Sequence, residues 1–196
     1  MKIGVFSDVH GHLNELNQTL QLFKLLNVDQ LVCGGDLVDK GEHSDAVVTM
    51  MRELAIPCVQ GNHDKKAQFM WLSYLEPLKS SSVEYLGKLP TSLTYEWKGK
   101  IVYVCHANPW EDPSFYVFPE SPEFLFQEVV KSVRADVVIM GHTHNPMCIT
   151  YDNTFIINPG SIYGNRDRIE RTCGMLVLPE CTFEIYDIDT GQQLKF

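Results

Sequence analysis

Five short segments of this sequence carry His, Asp or Asn directly after a predicted buried strand. They are Ser7-Asp8-Val9-His10, Gly35-Asp36-Leu37-Val38-Asp39, Gly61-Asn62-His63-Asp64, Cys105-His106 and Gly141-His142-Thr143-His144. Ligands of α/β proteins gather beyond the carboxyl ends of strands, where the sheet holds the loops rigid. Imidazole and carboxylate ligands suit Mn, Fe, Zn, Co or Ni better than Mg or Ca, which favour all-oxygen cages. The five segments together therefore predict a metal site.

Each segment by itself has a simpler interpretation. A lone Asp-x-His or Gly-Asp after a strand is usually a turn, and Asn62-His63 could cap a helix. The Gly-His-Thr-His segment is more informative, because alternate residues of an extended segment point the same way and His142 and His144 would present their imidazoles together. Turn chemistry does not account for all five segments in one chain, each at a strand end.

The spacing of apolar residues predicts the elements that position these segments. In the first half, strands are expected over residues 2–7, 30–33 and 58–60, and amphipathic helices over 13–26 and 44–55. Alternation of this kind implies parallel strands joined by right-handed crossovers.

The second half is richer in hairpins. Helices are expected over residues 65–75, 82–87 and 121–133, and strands over 93–97, 100–105, 137–140, 147–151, 155–157, 174–178 and 182–188. Lys98-Gly99 and Asp152-Asn153 are the expected turns of two hairpins. Together the two halves predict an α/β fold in which two packed sheets are flanked by helices.

Length and composition restrict the class of protein. The 196 residues fit one domain over 1–196, and 16 basic against 25 acidic residues give a net charge of −9. An acidic chain is not expected to be a dedicated nucleic-acid binder, although a bound metal could still attract a nucleotide. The six cysteines form no CxxC pair and are expected to be buried thiols. The apolar runs are too short for a signal peptide or a membrane span, so we expect a cytoplasmic protein; a homo-oligomer stays open.

In this order, the five segments resemble those of the calcineurin-like metallophosphoesterase superfamily. The short chain and Asn158-Pro159-Gly160-Ser161 are similar to its small bacterial and archaeal phosphodiesterase branch. The resemblance runs from Asp8 to Ser161 and implies a four-layer α/β/β/α sandwich of two mixed sheets, with a dinuclear metal centre at one edge. Two divalent ions are implied, with Mn²⁺ expected and Fe, Zn, Ni, Co or Mg as alternatives.

The resemblance also implies a role for each candidate ligand. One ion would be held by Asp8, His10, Asp36 and His144, and the other by Asp36, Asn62, His106 and His142. Asp36 would bridge the two ions, which a carboxylate can do and an imidazole normally cannot. Metals in such sites lie roughly 3.5–4 Å apart and share a bridging hydroxide that attacks phosphorus in line.

His63 and Asp39 are the residues that the resemblance implies for proton transfer. His63 would protonate the leaving-group oxygen, and Asp39 would orient its imidazole. The alternative for His63 is a structural imidazole that caps the following helix. Lys40-Gly41 and Asp64 stand where the protein Ser/Thr phosphatase branch has Arg-Gly and Glu. Lys cannot make the two-pronged phosphate contact of Arg, and we expect Asp64 to be a helix-start residue.

Two further segments are candidates for substrate binding. Arg166, Arg168 and Arg171 could bind a second phosphate or the non-bridging oxygens of a diester, or could form a solvated loop face. Trp110 and Tyr116 could stack on a base or aromatic ester, or could pack into the core or into a dimer contact. His12 either reaches the site or caps a helix.

The function expected from these observations is metal-dependent hydrolysis of a small phosphate ester, in particular a phosphodiester. The first alternative is a nucleotide or dinucleoside polyphosphate hydrolase that uses the same site. The second is a non-catalytic scaffold on this fold, similar to a retromer subunit that has lost metal ligands. Retention of every ligand type and of His63 argues against the scaffold.

Overall fold

A computed structural model describes residues 1–67, 78–164 and 170–195 of the chain. Its strands are β1 (Lys2–Phe6), β2 (Gln30–Cys33), β3 (Ser92–Trp97), β4 (Lys100–Cys105), β5 (Val137–Ile139), β6 (Pro146–Tyr151), β7 (Thr154–Pro159), β8 (Thr172–Val177), β9 (Thr182–Asp187) and β10 (Gln193–Leu194). Its helices are α1 (Leu13–Leu25), α2 (Ser44–Glu53), α3 (Asn62–Ala67), α4 (Ser80–Lys88) and α5 (Glu123–Ser132). None of the helices in these ranges is long and apolar enough to cross a bilayer.

The strands form two mixed sheets, as predicted. The first sheet has the order β10-β9-β8-β1-β2, and the second has the order β3-β4-β5-β7-β6. β1 runs parallel to β2 and antiparallel to β8. In the second sheet β4, β5 and β7 are mutually parallel, while β3 and β6 are antiparallel edge strands. The carboxyl ends of β1, β2, β4 and β5 carry four of the five polar segments.

Three apolar layers hold the sheets and helices together. Side chains alternate along β5, so Val137 and Ile139 face the layer between the sheets while Val138 faces α5. Phe6 and Phe23 belong to the layer between the first sheet and helices α1 and α2. Gly4 allows α1 to approach this closely, because a Cβ there would lie 2.9 Å from the Phe23 ring. The observed layers are helix, sheet, sheet and helix.

Several predicted elements differ in extent. The predicted strand 58–60 is only an isolated parallel bridge between Cys33 and Cys58. The helix expected over 65–75 begins earlier, at Asn62, and the part after Ala67 lies outside the described residues. α4 is longer than expected at both ends, and β10 was not predicted. All six cysteines are free, and four of them are buried.

Candidate metal centre

The two sheets deliver the polar segments to one edge of the sandwich. Asp8 and His10 follow β1, and Asp36 follows β2 in the same sheet. His106 and His142 follow β4 and β5 of the second sheet. The remaining two candidates come from elsewhere in the fold: Asn62 begins α3, and His144 lies just before β6. Parallel neighbours end at the same edge, so residues far apart in sequence become neighbours there.

An unusual backbone conformation turns these side chains toward one another. Five of the candidate ligands have φ between 48° and 67°, namely Asp8, His10, Asp36, His142 and His144. Non-glycine residues rarely adopt this left-handed region, and such strain clusters at functional sites. The prediction that residues 141–144 are extended is therefore wrong.

Hydrogen bonds between loops maintain the strained turns. The His10 amide donates to the Asp36 carbonyl at 2.9 Å, and the His142 amide donates to Asp8 Oδ2 at 3.0 Å. Asn158 donates from its side-chain amide to the Gly141 carbonyl at 2.7 Å. These bonds connect the loops that follow β1, β2 and β5 with one another and with β7, so each turn depends on the others.

The candidate ligands form two adjoining clusters. The first cluster is Asp8, His10 and His144, and the second is Asp36, His106 and His142; within each, one ligand atom per residue lies within 4.8 Å of the others. Asn62 Oδ1 lies 3.1 Å from His106 Nε2, beside the second cluster. Among the predicted ligands, the structure therefore brings all seven residues together. It also separates His142 from His144, which belong to different clusters.

Asp36 lies between the clusters. Its Oδ2 is 3.2 Å from His106 Nε2 in the second cluster and 3.9 Å from His10 Nε2 in the first. Gly61 is required beside it, because a Cβ at that position would collide with the Asp36 carboxylate. A carboxylate placed in this way can contact ions in both clusters.

The histidine hydrogen bonds test whether the residues suit a metal. Each of four rings donates one N–H to a backbone carbonyl oxygen: His10 Nδ1 to Val38 at 3.2 Å, His106 Nδ1 to Gly34 at 2.7 Å, His144 Nδ1 to Gly164 at 3.2 Å and His142 Nε2 to Pro113 at 2.9 Å. A neutral imidazole that donates from one nitrogen can only accept at the other. Metal-binding histidines are typically oriented by such a second hydrogen bond.

The accepting atoms of the first cluster face one another. His10 Nε2 and His144 Nε2 are 3.2 Å apart, and His144 Nε2 is 3.1 Å from Asp8 Oδ1. Asp8 Oδ1 is buried and, among the described residues, has no hydrogen-bond partner other than this imidazole nitrogen. Lone pairs facing each other at this range repel unless a cation lies among them. The donor set therefore fits a divalent metal ion.

The electrostatics prepare most of these ligands in their metal-binding forms. Burial lowers the pKa of His10 to about 4, against the opposing effect of Asp36 and Asp8. Burial, reinforced by His106, also lowers the pKa of His142 to about 4. For Asp8, burial raises the pKa but nearby imidazoles, His144 foremost, bring it down to about 2. At neutral pH these two rings are uncharged and this carboxylate is ionised, as metal ligands must be.

Asp36 and His106 form an ion pair in which the carboxylate is in its metal-binding form and the imidazole is not. Burial would raise the pKa of Asp36 and lower that of His106, but the attraction between the two groups reverses both effects. The pKa of Asp36 falls well below its usual range, and that of His106 rises to about 10. In the metal-free chain, His106 therefore carries a proton at neutral pH, and an ion must displace it.

His63 and Asp39 lie beside the clusters as a hydrogen-bonded pair. His63 Nδ1 bonds to Asp39 Oδ2, and the opposite ring nitrogen lies 3.9 Å from Asp36 Oδ2. The His63 ring also contacts that of His10 edge-on, with centroids 4.9 Å apart. His63 is partly open to solvent, with 23% of its side chain exposed. The ring thus reaches the edge of both clusters while Asp39 fixes its orientation.

Asp64 joins the two loops that contain Asp36 and Asn62. Its carboxylate is fully buried and accepts the amide hydrogens of Asp36 at 2.9 Å, Leu37 at 2.8 Å and Gly61 at 2.9 Å. Burial and the charge of Asp36 raise the pKa of Asp64 to about 7. Asp64 therefore serves as a buried backbone anchor at the start of α3.

Most of the chain matches one known protein family. A sequence profile of the calcineurin-like phosphoesterase superfamily domain matches residues 1–180. The chain belongs to this superfamily. It is therefore a hydrolase of phosphoester bonds, and the resemblance seen in the sequence is confirmed.

Individual relatives agree with this assignment. An uncharacterized protein of Methanocaldococcus jannaschii is 29% identical over 181 residues, covering 85% of this chain and 72% of the relative. A phosphodiesterase of the same archaeon is 27% identical over 166 residues, covering 84% of this chain and 86% of the relative. The crystal structure of a metallophosphoesterase from Sphaerobacter thermophilus matches with a TM-score of 0.77 and 22% identity, covering 100% and 89% of the two chains. That structural match confirms the predicted fold.

Of the three arginines predicted to contact a substrate, the structure describes Arg171. Arg171 pairs with Glu15 and with Asp189, so its guanidinium is already neutralised by two carboxylates. Arg166 and Arg168 lie outside the described residues. The aspartate and glutamate partners of Arg171 are 18 and 156 residues away in sequence, which is why the local pattern did not reveal them.

Trp110 and Tyr116, which were predicted to stack on a substrate, both contact other side chains of this chain. Trp110 packs against the apolar layer of α5 and contacts Phe115 edge-on. The Tyr116 ring stacks on His142 with centroids 4.3 Å apart and on Phe118 with centroids 5.6 Å apart. Tyr116 is thus engaged with a candidate ligand and a neighbouring ring, while Trp110 is part of the core packing that the sequence left as the alternative.

Three residues near the first cluster were not assigned from the sequence. The Tyr163 ring contacts those of His10, His12 and His144, with centroids 5.5, 4.6 and 6.1 Å away. Lys40 Nζ lies 5.0 Å from the centre of the same ring. His12 makes no capping bond from its side chain and instead donates to the His10 carbonyl at 2.9 Å. Tyr163 closely follows the Asn-Pro-Gly-Ser segment, and that segment was the feature of the sequence that could have indicated a position near the metal centre.

Proposed function

We propose that the chain is a phosphodiesterase that acts with two divalent metal ions, one in each cluster, and that Mn²⁺ is the preferred ion. The observation that carries this proposal is the set of facing lone pairs in the first cluster, with Asp36 between it and the second. Asp8, His10, Asp36 and His144 would hold one ion. Asp36, Asn62, His106 and His142 would hold the other.

Bound divalent ions attract the phosphate group, neutralise charge that develops on it and lower the pKa of an attacking water. The chain supplies the remaining chemistry through His63. Asp39 accepts a hydrogen bond from the Nδ1–H of His63 and so directs Nε2 toward the clusters. From Nε2 a protonated His63 would donate to the departing oxygen, which is general acid catalysis. The His63 ring is close to Asp36, so it lies within reach of a phosphate bound to metal ions in the two clusters.

Two observations favour diesters over monoesters. The ammonium of Lys40 contributes to lowering the pKa of His10, so its charge acts on the first cluster. A single ammonium cannot grip the terminal oxygens of a dianionic monoester as the planar fork of Arg can. In addition, a relative with 27% identity is named a phosphodiesterase.

The test is a matched pair of substrates with defined metals. Metal-free protein would be loaded with Mn²⁺, Fe²⁺, Zn²⁺, Ni²⁺, Co²⁺ or Mg²⁺ and assayed on bis-nitrophenyl phosphate and on nitrophenyl phosphate. We expect two ions per chain, turnover of the diester above that of the monoester, and the highest turnover with Mn²⁺. Asp8→Asn should remove most of the activity.

Three outcomes would contradict the proposal. A preference for the monoester would indicate a phosphomonoesterase. Turnover of a dinucleoside polyphosphate far above both aryl esters would favour the nucleotide hydrolase. A folded chain that binds no divalent ion and hydrolyses none of these esters would indicate a scaffold.

A further inference from the structure

One surface loop encloses the histidine ligands of the second cluster. Residues 108–118 begin two positions after His106 and return to cover His142. The Pro113 carbonyl accepts the Nε2–H of His142 at 2.9 Å, and the Tyr116 ring lies against the same imidazole with an interplanar angle of 22°. His142 is thus fixed in its plane by a hydrogen bond and across its face by a stacked ring.

Asn108 organises this loop from within. Its side chain is almost completely buried, with 1% of the residue exposed. The amide donates to the carbonyls of Asp112 at 2.5 Å and Phe115 at 3.0 Å, and its oxygen accepts the Asp112 amide hydrogen at 3.0 Å. These bonds hold the chain on both sides of Pro113. The position of the Pro113 carbonyl therefore depends on Asn108, which does not itself touch His142 through any of these bonds.

The loop gives His142 the opposite ring orientation from the other candidate ligands. His10, His106 and His144 donate from Nδ1 to backbone carbonyls, so Nε2 is the nitrogen that each would present to a metal ion. His142 donates from Nε2, which leaves Nδ1 as its accepting nitrogen. A ring that lost the Pro113 bond could take either tautomer, and only one of them has its lone pair on Nδ1.

We infer that Asn108 and Tyr116 are positioning residues for the second metal ion: they hold Pro113 and the His142 ring so that His142 presents Nδ1 to Asp36 and His106. This inference rests on the proposed two-metal function. The first cluster is oriented by other carbonyls, those of Val38 and Gly164. Loss of the loop contacts should therefore weaken the second ion selectively.

The experiment compares four variants of the full chain. Asn108→Asp keeps the size of the side chain but replaces two N–H donors by a carboxylate oxygen facing two carbonyls. Tyr116→Leu removes the stacked ring, and Tyr116→Phe retains it. Phe115→Leu is the matched control, because the Phe115 side chain is 51% exposed in the same loop and contacts Trp110 rather than His142.

Two measurements follow each variant. Stepwise titration of the metal-free protein with Co²⁺ gives the affinity of each ion, and nitrogen-15 NMR of the metal-free protein shows which nitrogen of His142 bears the proton. Removal of a residue that orients a metal ligand typically weakens metal affinity about 10–100-fold. We expect that loss for the second ion in Asn108→Asp and Tyr116→Leu, with the first ion changed less than about twofold. His142 should bear its proton on Nε2 in the unmodified protein and become a mixture of tautomers in Asn108→Asp.

The inference fails if folded Asn108→Asp and Tyr116→Leu bind both ions as the unmodified protein does. It also fails if the affinities of both ions decrease equally, which would indicate a general loss of structure. A third contrary outcome is a loss of affinity for the second ion in Tyr116→Phe as large as that in Tyr116→Leu. The NMR measurement needs neither metal nor activity. A chain without phosphodiesterase activity whose His142 tautomer still depends on Asn108 would overturn the proposed function and support this inference.

Discussion

Replacing Asp64 by Ala should destabilise the fold and the metal centre together. The Asp64 carboxylate is the buried acceptor for three backbone amides, those of Asp36, Leu37 and Gly61. Alanine removes all three hydrogen bonds and leaves three backbone amides without this acceptor. Because these amides belong to the loops that carry Asp36 and Asn62, the loops should separate when the anchor is lost.

The magnitude follows from the number of amides. A buried donor that loses its partner costs about 1–3 kcal/mol, so three donors give about 3–9 kcal/mol. The space left by the carboxylate could admit one water, which can satisfy some of the donors, and this favours the lower end of the range. We therefore expect a loss of about 3 kcal/mol in the free energy of unfolding. For a chain of this size that corresponds to a decrease in Tm of about 6–12 °C.

The assay is thermal unfolding of the metal-free protein followed by circular dichroism. Asp64→Asn should lose less stability than Asp64→Ala, because the amide oxygen of Asn can still accept some of the three hydrogen bonds. Asp29→Ala is the control: Asp29 is exposed and accepts one amide hydrogen, that of Lys2, which water can satisfy instead. An Asp64→Ala variant no less stable than Asp29→Ala would refute the reasoning.

Three further predictions concern the metal centre. Asp36→Asn should abolish tight binding of both ions while His144→Ala weakens one, because Asp36 is the residue assigned to both ligand sets. Metal content after gel filtration measures this, and two tightly held ions with full activity in Asp36→Asn would exclude a bridge. His63→Ala should retain both ions, and its turnover of an alkyl diester should fall about 10²–10⁴-fold. Its turnover of a nitrophenyl ester should fall much less, because that leaving group needs no proton. Asp39→Asn should show a weaker form of the same pattern. Equal losses on both esters would make His63 a positioning residue, and lost metal would make it a ligand. Although burial opposes it, Asp36 raises the pKa of His106 to about 10, so ion binding near pH 8 should release the proton of His106, and the affinity for the ion should increase with pH up to about 10. Calorimetry in buffers of different ionisation enthalpy counts the released proton. A metal affinity independent of pH would contradict the assignment of His106 as a ligand.

The local sequence was sufficient to place most elements and the candidate ligands. The 3.6-residue spacing of apolar side chains in α1 and the apolar run of β5 depend only on near neighbours, and both elements were found within a residue or two of their predicted bounds. Asp8 and Asp36 follow the parallel neighbours β1 and β2, so their arrival at one sheet edge could be anticipated from the parallel order alone, whereas His106 belongs to the other sheet. The resemblance to a known family supplied the roles that spacing could not.

Contacts between distant residues decided the rest. The resemblance already assigned His142 and His144 to different ions. Their left-handed φ, rather than an extended segment, separates them, and the bond from the His142 amide to Asp8, 134 residues away, holds that turn. The orientation of His142 is set by Pro113, 29 residues away, and Arg171 is taken up by Glu15, 156 residues away. The sequence alone therefore determines which residues can bind metal and which strands carry them. Only the tertiary structure decides which nitrogen each ring presents and which cation is left for a substrate, because those choices depend on hydrogen bonds and ion pairs between loops that no local pattern records.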